Sequence, residues 1–243
     1  MNQDNFEDIV LEIKKLAKKY TRSKSKRQFD EQWFEYYFLQ YVKEKEIDSN
    51  TLLQVASHFM ENNNNFDKDT AIFIIGTHDI SDKMVSNFLQ KYLPVMNKEQ
   101  TDSTISLINH RHLDSVYYSL LNHLNLNSFY NSEIFRQKLT YLGISFDKKE
   151  GYKEFEEALE RDILTTDSKQ LKIESYTGGV LSSLLADKDY EKIQKIFQRF
   201  VSLRSKNVLM QQLSLSIERW GIDQEGMDIL KRTIGYDPEP RKN

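Results

Sequence analysis

The chain has 243 residues, 39% hydrophobic and 29% charged, with 8 glycines, 3 prolines and no cysteine. Lack of cysteine excludes disulfides, thiol nucleophiles and cysteine-ligated zinc or iron–sulfur sites, and so few chain breakers favour helices over a turn-rich sheet. A formal net charge of -3 exerts no general pull on nucleic acid or an anionic membrane.

The first ten residues, MNQDNFEDIV, are acidic and lack the apolar stretch of a signal peptide. The longest clean apolar run, Ala71 to Ile75, is far short of the roughly 20 residues a membrane span needs. A cytoplasmic chain with no membrane partner is therefore expected. Phe6, Ile9, Val10, Ile13, Leu16, Ala17 and Tyr20 recur at steps of three and four, which predicts an amphipathic helix. Lys14, Lys15, Lys18, Lys19 and Arg22 occupy its opposite face. A helix from about Phe29 to Lys45 follows, with Phe29, Trp33, Phe34, Tyr36, Tyr37, Phe38 and Tyr41 covering most of its circumference. Its polar strip is narrow, at Glu31 and Glu35, so it is expected to be sandwiched between other helices.

The stretch from Phe29 to Asn125 repeats with an offset of 32 residues. Leu52, Met84 and Val116 align, as do Leu53, Val85 and Tyr117, then Ala56, Phe88 and Leu120, then Met60, Tyr92 and Leu124. One helix earlier, Tyr41, Phe73 and Ile105 share the offset. The second helix of each hairpin is expected to start near Asn50, Asp82 or Asp114, whose side chains can cap its free N–H groups. A helix from about Ser128 to Leu142 is expected to end at Gly143. A charged one from about Gly151 to Leu164 buries Tyr152, Phe155, Leu159 and Ile163. We read 1–243 as a single helical-repeat domain, with a possible subdivision into 1–143 and 144–243.

Near the C-terminus the offset becomes 34: Asp189, Glu191, Ile193, Ile196 and Phe200 match Asp223, Glu225, Met227, Leu230 and Ile234, and Leu181 matches Leu215. The strings ADKDYEKIQKIFQRF and WGIDQEGMDILKRTIGYDP, with Pro238 closing the second, resemble tetratricopeptide-type repeats. The small residue that pattern places at the tight packing position is Ile193 or Met227 in this chain. The central copies resemble HEAT-type hairpins equally well. The resemblance implies an all-α fold, an α-solenoid of stacked hairpins with a 32–34-residue period, and supplies no functional residues.

No GxSxG, HExxH, Walker A or GxGxxG pattern occurs, and no catalytic, cofactor or metal site is expected. His78, His110, His112 and His123 lie close in sequence, but HRHLD falls at a turn entering a helix, where alternate side chains diverge. Thr177, Gly178 and Gly179 lack the lysine of a phosphate loop. Gly179 with Ser183, and Ser182 with Ala186, read as small residues between pressed helices. The basic run from Lys14 to Arg27 holds eight cations and no acid, yet residues 1–50 carry ten charges of each sign, so a solvated helix face is expected. In the 32-residue register Gln54, Ser86 and Tyr118 form one row, and His58, Gln90 and Asn122 a second beside it. Residues 51–147 hold seven basic and ten acidic side chains, and a weakly charged polar ladder is the kind of surface that binds protein. The expectation is a non-enzymatic protein- or peptide-binding solenoid, monomeric or homodimeric, such as a bacterial adaptor or an immunity-type protein that caps a toxin. The alternative is a nucleic-acid-acting repeat protein using the basic face of Lys15, Lys19 and Arg22.

Overall fold

The computed structural model describes residues 3–20, 31–77, 80–166 and 175–236. Regular structure among them is entirely helical: thirteen α-helices and three 3₁₀ turns. No helix among the described residues is long and apolar enough to cross a membrane. The chain forms two compact units, Met1–His123 and Leu124–Asn243. The 143/144 border weighed from sequence falls inside a helix instead.

The first unit contains α1 (Gln3–Tyr20), α2 (Glu31–Glu44), α3 (Ser49–Glu61), α4 (Asn65–Thr77), α5 (Asp82–Tyr92), α6 (Lys98–His110) and the start of α7 (Tyr117–Leu126), which a 3₁₀ turn at Asp114–Val116 precedes. The expected second-helix starts agree with α3, α5 and this turn. The β-prone run Ile72–Ile75 is helical, inside α4. Capping differs: Asp48, not Asn50, accepts from the Thr51 N–H, and Ser81 precedes α5 without a side-chain cap bond. α3 packs on α1, α4 and α5, α5 packs on the Asp114–Val116 turn, and α4 packs on α6. Phe73 of α4 lies 4.7 Å from Phe34 and 6.3 Å from Phe38, ring centre to ring centre. α2 is not sandwiched: Phe34 and Phe38 are buried, while Tyr36 and Leu39 face outward. Tyr37 and Tyr41 are half-buried. Its aromatic girdle exceeds the one face that neighbours cover.

The second unit contains α8 (Glu133–Ser145), α9 (Lys149–Thr166), α10 (Tyr176–Ala186), α11 (Tyr190–Arg199), α12 (Leu203–Trp220) and α13 (Gln224–Ile234). α8 pairs with α9, α10 packs on α8, α9 and α12, and α11 packs on α13. Tyr152, Phe155 and Leu159 are buried as expected, and Ile163 is half-buried. Gly178 of α10 lies against Gln212 of α12, Gly179 against Gln137 of α8. Ser182 donates to Ser216, 34 residues on, at 2.8 Å. Asp189 and Asp223 share that spacing and cap α11 and α13, accepting from the N–H groups of Lys192 and Gly226. Gly179 and Ser182 therefore do lie where helices press together, whereas Ala186 is exposed.

The same turn closes four hairpins. Glu46, His112, Asp147 and Lys188 each stand two residues past a helix end in the left-handed region, with φ of 50°, 52°, 54° and 57°. The next N–H reaches back five residues, Ile47 to Val42, Leu113 to Ile108, Lys148 to Gly143 and Asp189 to Leu184. This is the Schellman arrangement, which satisfies otherwise orphaned helix carbonyls and reverses the chain in few residues. His112 is accordingly a turn residue. Asp147 gains a further role there, accepting from Tyr152 at 3.0 Å and pairing with Lys192 and Lys195 of α11. Partial burial opposes its ionisation, but these donors outweigh that and hold its carboxyl below the usual range. Burial first, then the hydrogen bond to Asp147 and its charge, push Tyr152 up to about 12.

Candidate functional surface

The ladder residues lie on α3, α5 and α7 of the first unit. Gln54, His58, Gln90 and Asn122 are exposed, and Tyr118 is 54% exposed. His58 meets the Phe6 ring of α1 edge-on at 6.1 Å, and Tyr118 meets Tyr117 at 5.4 Å. Ser86 corrects the expectation: it is 6% exposed and accepts from Ser115 Oγ at 3.1 Å. Gln90 Nε2 donates to the Ser115 carbonyl at 3.0 Å. These two residues therefore tie α5 to the turn that follows it.

The burial pattern departs by one residue from the expected 32-residue offset. The buried positions of α3 superpose on those of α5 at 33 residues, carrying Leu52, Val55, Ala56 and Phe59 onto Val85, Phe88, Leu89 and Tyr92. One residue is 100° of helix. Ser86 thus turns inward with Leu53, which is half-buried rather than buried, and Asn87 takes the outward position of Gln54. Asn87 was missed from sequence. Its signal was the small size of Ser86, suited to close helix approach.

The basic face is only partly available. Lys14 donates at 2.5 Å to Asp67, which is 2% exposed and also accepts from Asn62 at 3.0 Å. Lys15 pairs with Glu12 at 3.1 Å, and Lys19 stands 5.8 Å from the centre of the Tyr37 ring. Arg22 lies outside the described residues. Beside this face, α1 and α2 form a groove of about 540 Å³ lined by Asp8, Ile9, Leu11, Glu12, Lys15, Tyr41 and Lys45. In the second unit a groove of about 600 Å³ runs between α11 and α13, with Lys188 bonded to Asp223 at 2.6 Å on its wall.

Among the described residues no three His, Cys, Asp or Glu side chains gather as a metal site, and His78 lies outside them. His123 is 2% exposed, with Nε2 at 3.0 Å from Thr101 Oγ1. Since the Thr101 hydroxyl donates to the Asn97 carbonyl at 2.7 Å, the neutral ring is the donor and carries its proton on Nε2. Burial holds its pKa below the usual 6.5. The unfolded chain then takes up a proton more readily than the folded one. Stability from this group is fully present above the unfolded value and is lost as pH falls from there through the lowered folded value. Melting temperature should fall between pH 7.5 and 5.5 in the wild type, and less in His123→Gln, which keeps a donor but cannot titrate. Equal falls in both would show that His123 does not carry the effect.

No family model, curated protein or solved structure matches this chain.

Proposed function

We propose that the chain is a non-enzymatic helical-repeat protein, an α-solenoid of hairpins recurring about every 32–34 residues, that binds a protein or peptide partner. Its working surface is the outward side of α3, α5 and α7. The observation that carries this reading is Tyr118, 54% exposed, with Gln54, His58, Gln90 and Asn122 of the same three helices exposed as well. A tyrosine provides large contact area with a polar tip at small entropic cost, and such residues dominate binding energy where they meet a partner. Internal pairing of Lys14 and Lys15 argues against the basic face as the main surface.

The test compares two variants for capture of partners from the native host. Tyr118→Ala with Gln54→Ala should leave the helical circular-dichroism signal and melting temperature unchanged but weaken capture about tenfold or more. Reversal of Lys15, Lys19 and Arg22 to Glu should leave capture intact. The opposite pattern moves the working surface to α1 and favours nucleic acid or an acidic partner.

A further inference from the structure

A net charge of -3 exerts no general pull on a bilayer, but in the second unit the charge is unevenly spread. From Lys192 to Ile217 the chain carries five cations and no acid. Lys192 and Lys195 are paired with Asp147. Arg199, Arg204 and Lys206 are exposed and bracket the turn from α11 into α12. The Arg199 guanidinium is held beside that turn, 5.1 Å from the centre of the Tyr152 ring.

The turn itself is aliphatic. Val201 is 67% and Leu203 77% exposed, where a turn ordinarily carries small or polar residues. Both neighbours of Val201 are fixed. Phe200 is buried and stacks on Phe155 of α9, ring centres 5.7 Å apart. Ser202 accepts from the Ser205 N–H at 3.1 Å and so caps α12. Ser202 is extended, with φ -62° and ψ 145°, the conformation in which side chains two residues apart share a side. Val201 and Leu203 therefore stand together.

Exposed aliphatic side chains set among cations suit the surface of an anionic bilayer. There the cations meet phosphate and carboxylate headgroups while the aliphatic tips reach the acyl boundary. Nucleic acid would engage the cations but offers nothing to Val201 and Leu203, which cannot stack on bases as aromatic rings do.

We propose that the α11–α12 turn docks the chain on an anionic lipid membrane, with Val201 and Leu203 entering the interface and Arg199, Arg204 and Lys206 meeting headgroups. Attachment through so few groups is weak and reversible, since stable anchoring takes a longer apolar element or a lipid chain. The inference does not depend on the surface proposed in the first unit.

The test is flotation of the full-length protein with vesicles of phosphatidylcholine containing about 30% phosphatidylserine, against pure phosphatidylcholine vesicles and a short DNA duplex. Wild type should bind the anionic vesicles and not the neutral ones, and less at high salt, where the cations are screened. Arg204→Gln with Lys206→Gln should bind about tenfold or more weakly, each cation near the surface being worth about fivefold. Val201→Ser with Leu203→Ser should keep the wild-type melting temperature and bind about fivefold or more weakly. Binding to neither vesicle, equal binding to both, or loss in only one of the two variants would overturn the inference. Tighter binding to the duplex than to the anionic vesicles would also overturn it and assign the cations to nucleic acid.

Discussion

Phe88→Ala is expected to lower the unfolding free energy by about 3–5 kcal/mol, the range for deleting an aromatic ring from a packed interior. Phe88 is 4% exposed, with its ring 4.7 Å from that of Tyr92 one turn on. α5 packs on both α3 and the turn leading to α7, so the cavity left behind lies inside the first unit. A pair of companion variants decides the register. Leu52 is fully buried and Leu53 half-buried, so Leu52→Ala should cost about 2–5 kcal/mol. Leu53→Ala should cost less, because part of that side chain already lies in water. Denaturant midpoints measure all three. An unchanged midpoint for Phe88→Ala, or a larger loss at Leu53 than at Leu52, would be incompatible with the packing of α3 and α5.

Gly151→Ala is expected to destabilise by about 3 kcal/mol, at the upper end for overpacking a close contact. A methyl group at this position would lie 2.5–2.6 Å from the backbone of Gly143 and Ile144. Backbone cannot rotate aside as a side chain can, and α8 and α9 are fixed there by the Lys148 N–H bond to the Gly143 carbonyl. Helix propensity alone would favour alanine over glycine by about 1 kcal/mol, so any net loss must come from the contact. Gly179→Ala is the internal control. Its added methyl first meets the terminal amide of Gln137, which can swing away at the cost of its bond to the Tyr176 carbonyl, and a smaller loss is expected. Were Gly151→Ala as stable as wild type, α8 and α9 could not cross at this glycine pair.

Gly143 shows why some of this was hidden. In the sequence a glycine after an apolar stretch reads as a helix stop. In the fold α8 runs on to Ser145, and Gly143 is the surface against which Gly151 is pressed. Nothing local distinguishes a glycine required for its backbone freedom from one required for its missing side chain; the distinction lies in a partner eight residues away. The turn at Asp147 has the same character. Glu46, His112, Asp147 and Lys188 range from carboxylate through imidazole to ammonium, yet hold the same left-handed conformation, because the helix carbonyls behind them need the same two donors.

The candidate surface was legible in part for the same reason. Gln54, His58, Gln90, Tyr118 and Asn122 are exposed where periodicity placed them, whereas Ser86 is inside. The sequence by itself determined the helical class, the hairpin starts at α3 and α5 and most of the apolar stripes, since a 3.6-residue period in side-chain type is a local property of the chain. The phase of each stripe relative to the next was decided only in the tertiary structure. A slip of one residue between α3 and α5 turns a side chain by 100° about the helix axis, and the choice between 32 and 33 residues rests on how closely the helices approach. That approach depends on volumes summed across both partners, with the serine pair Ser86 and Ser115 letting α5 meet the turn before α7.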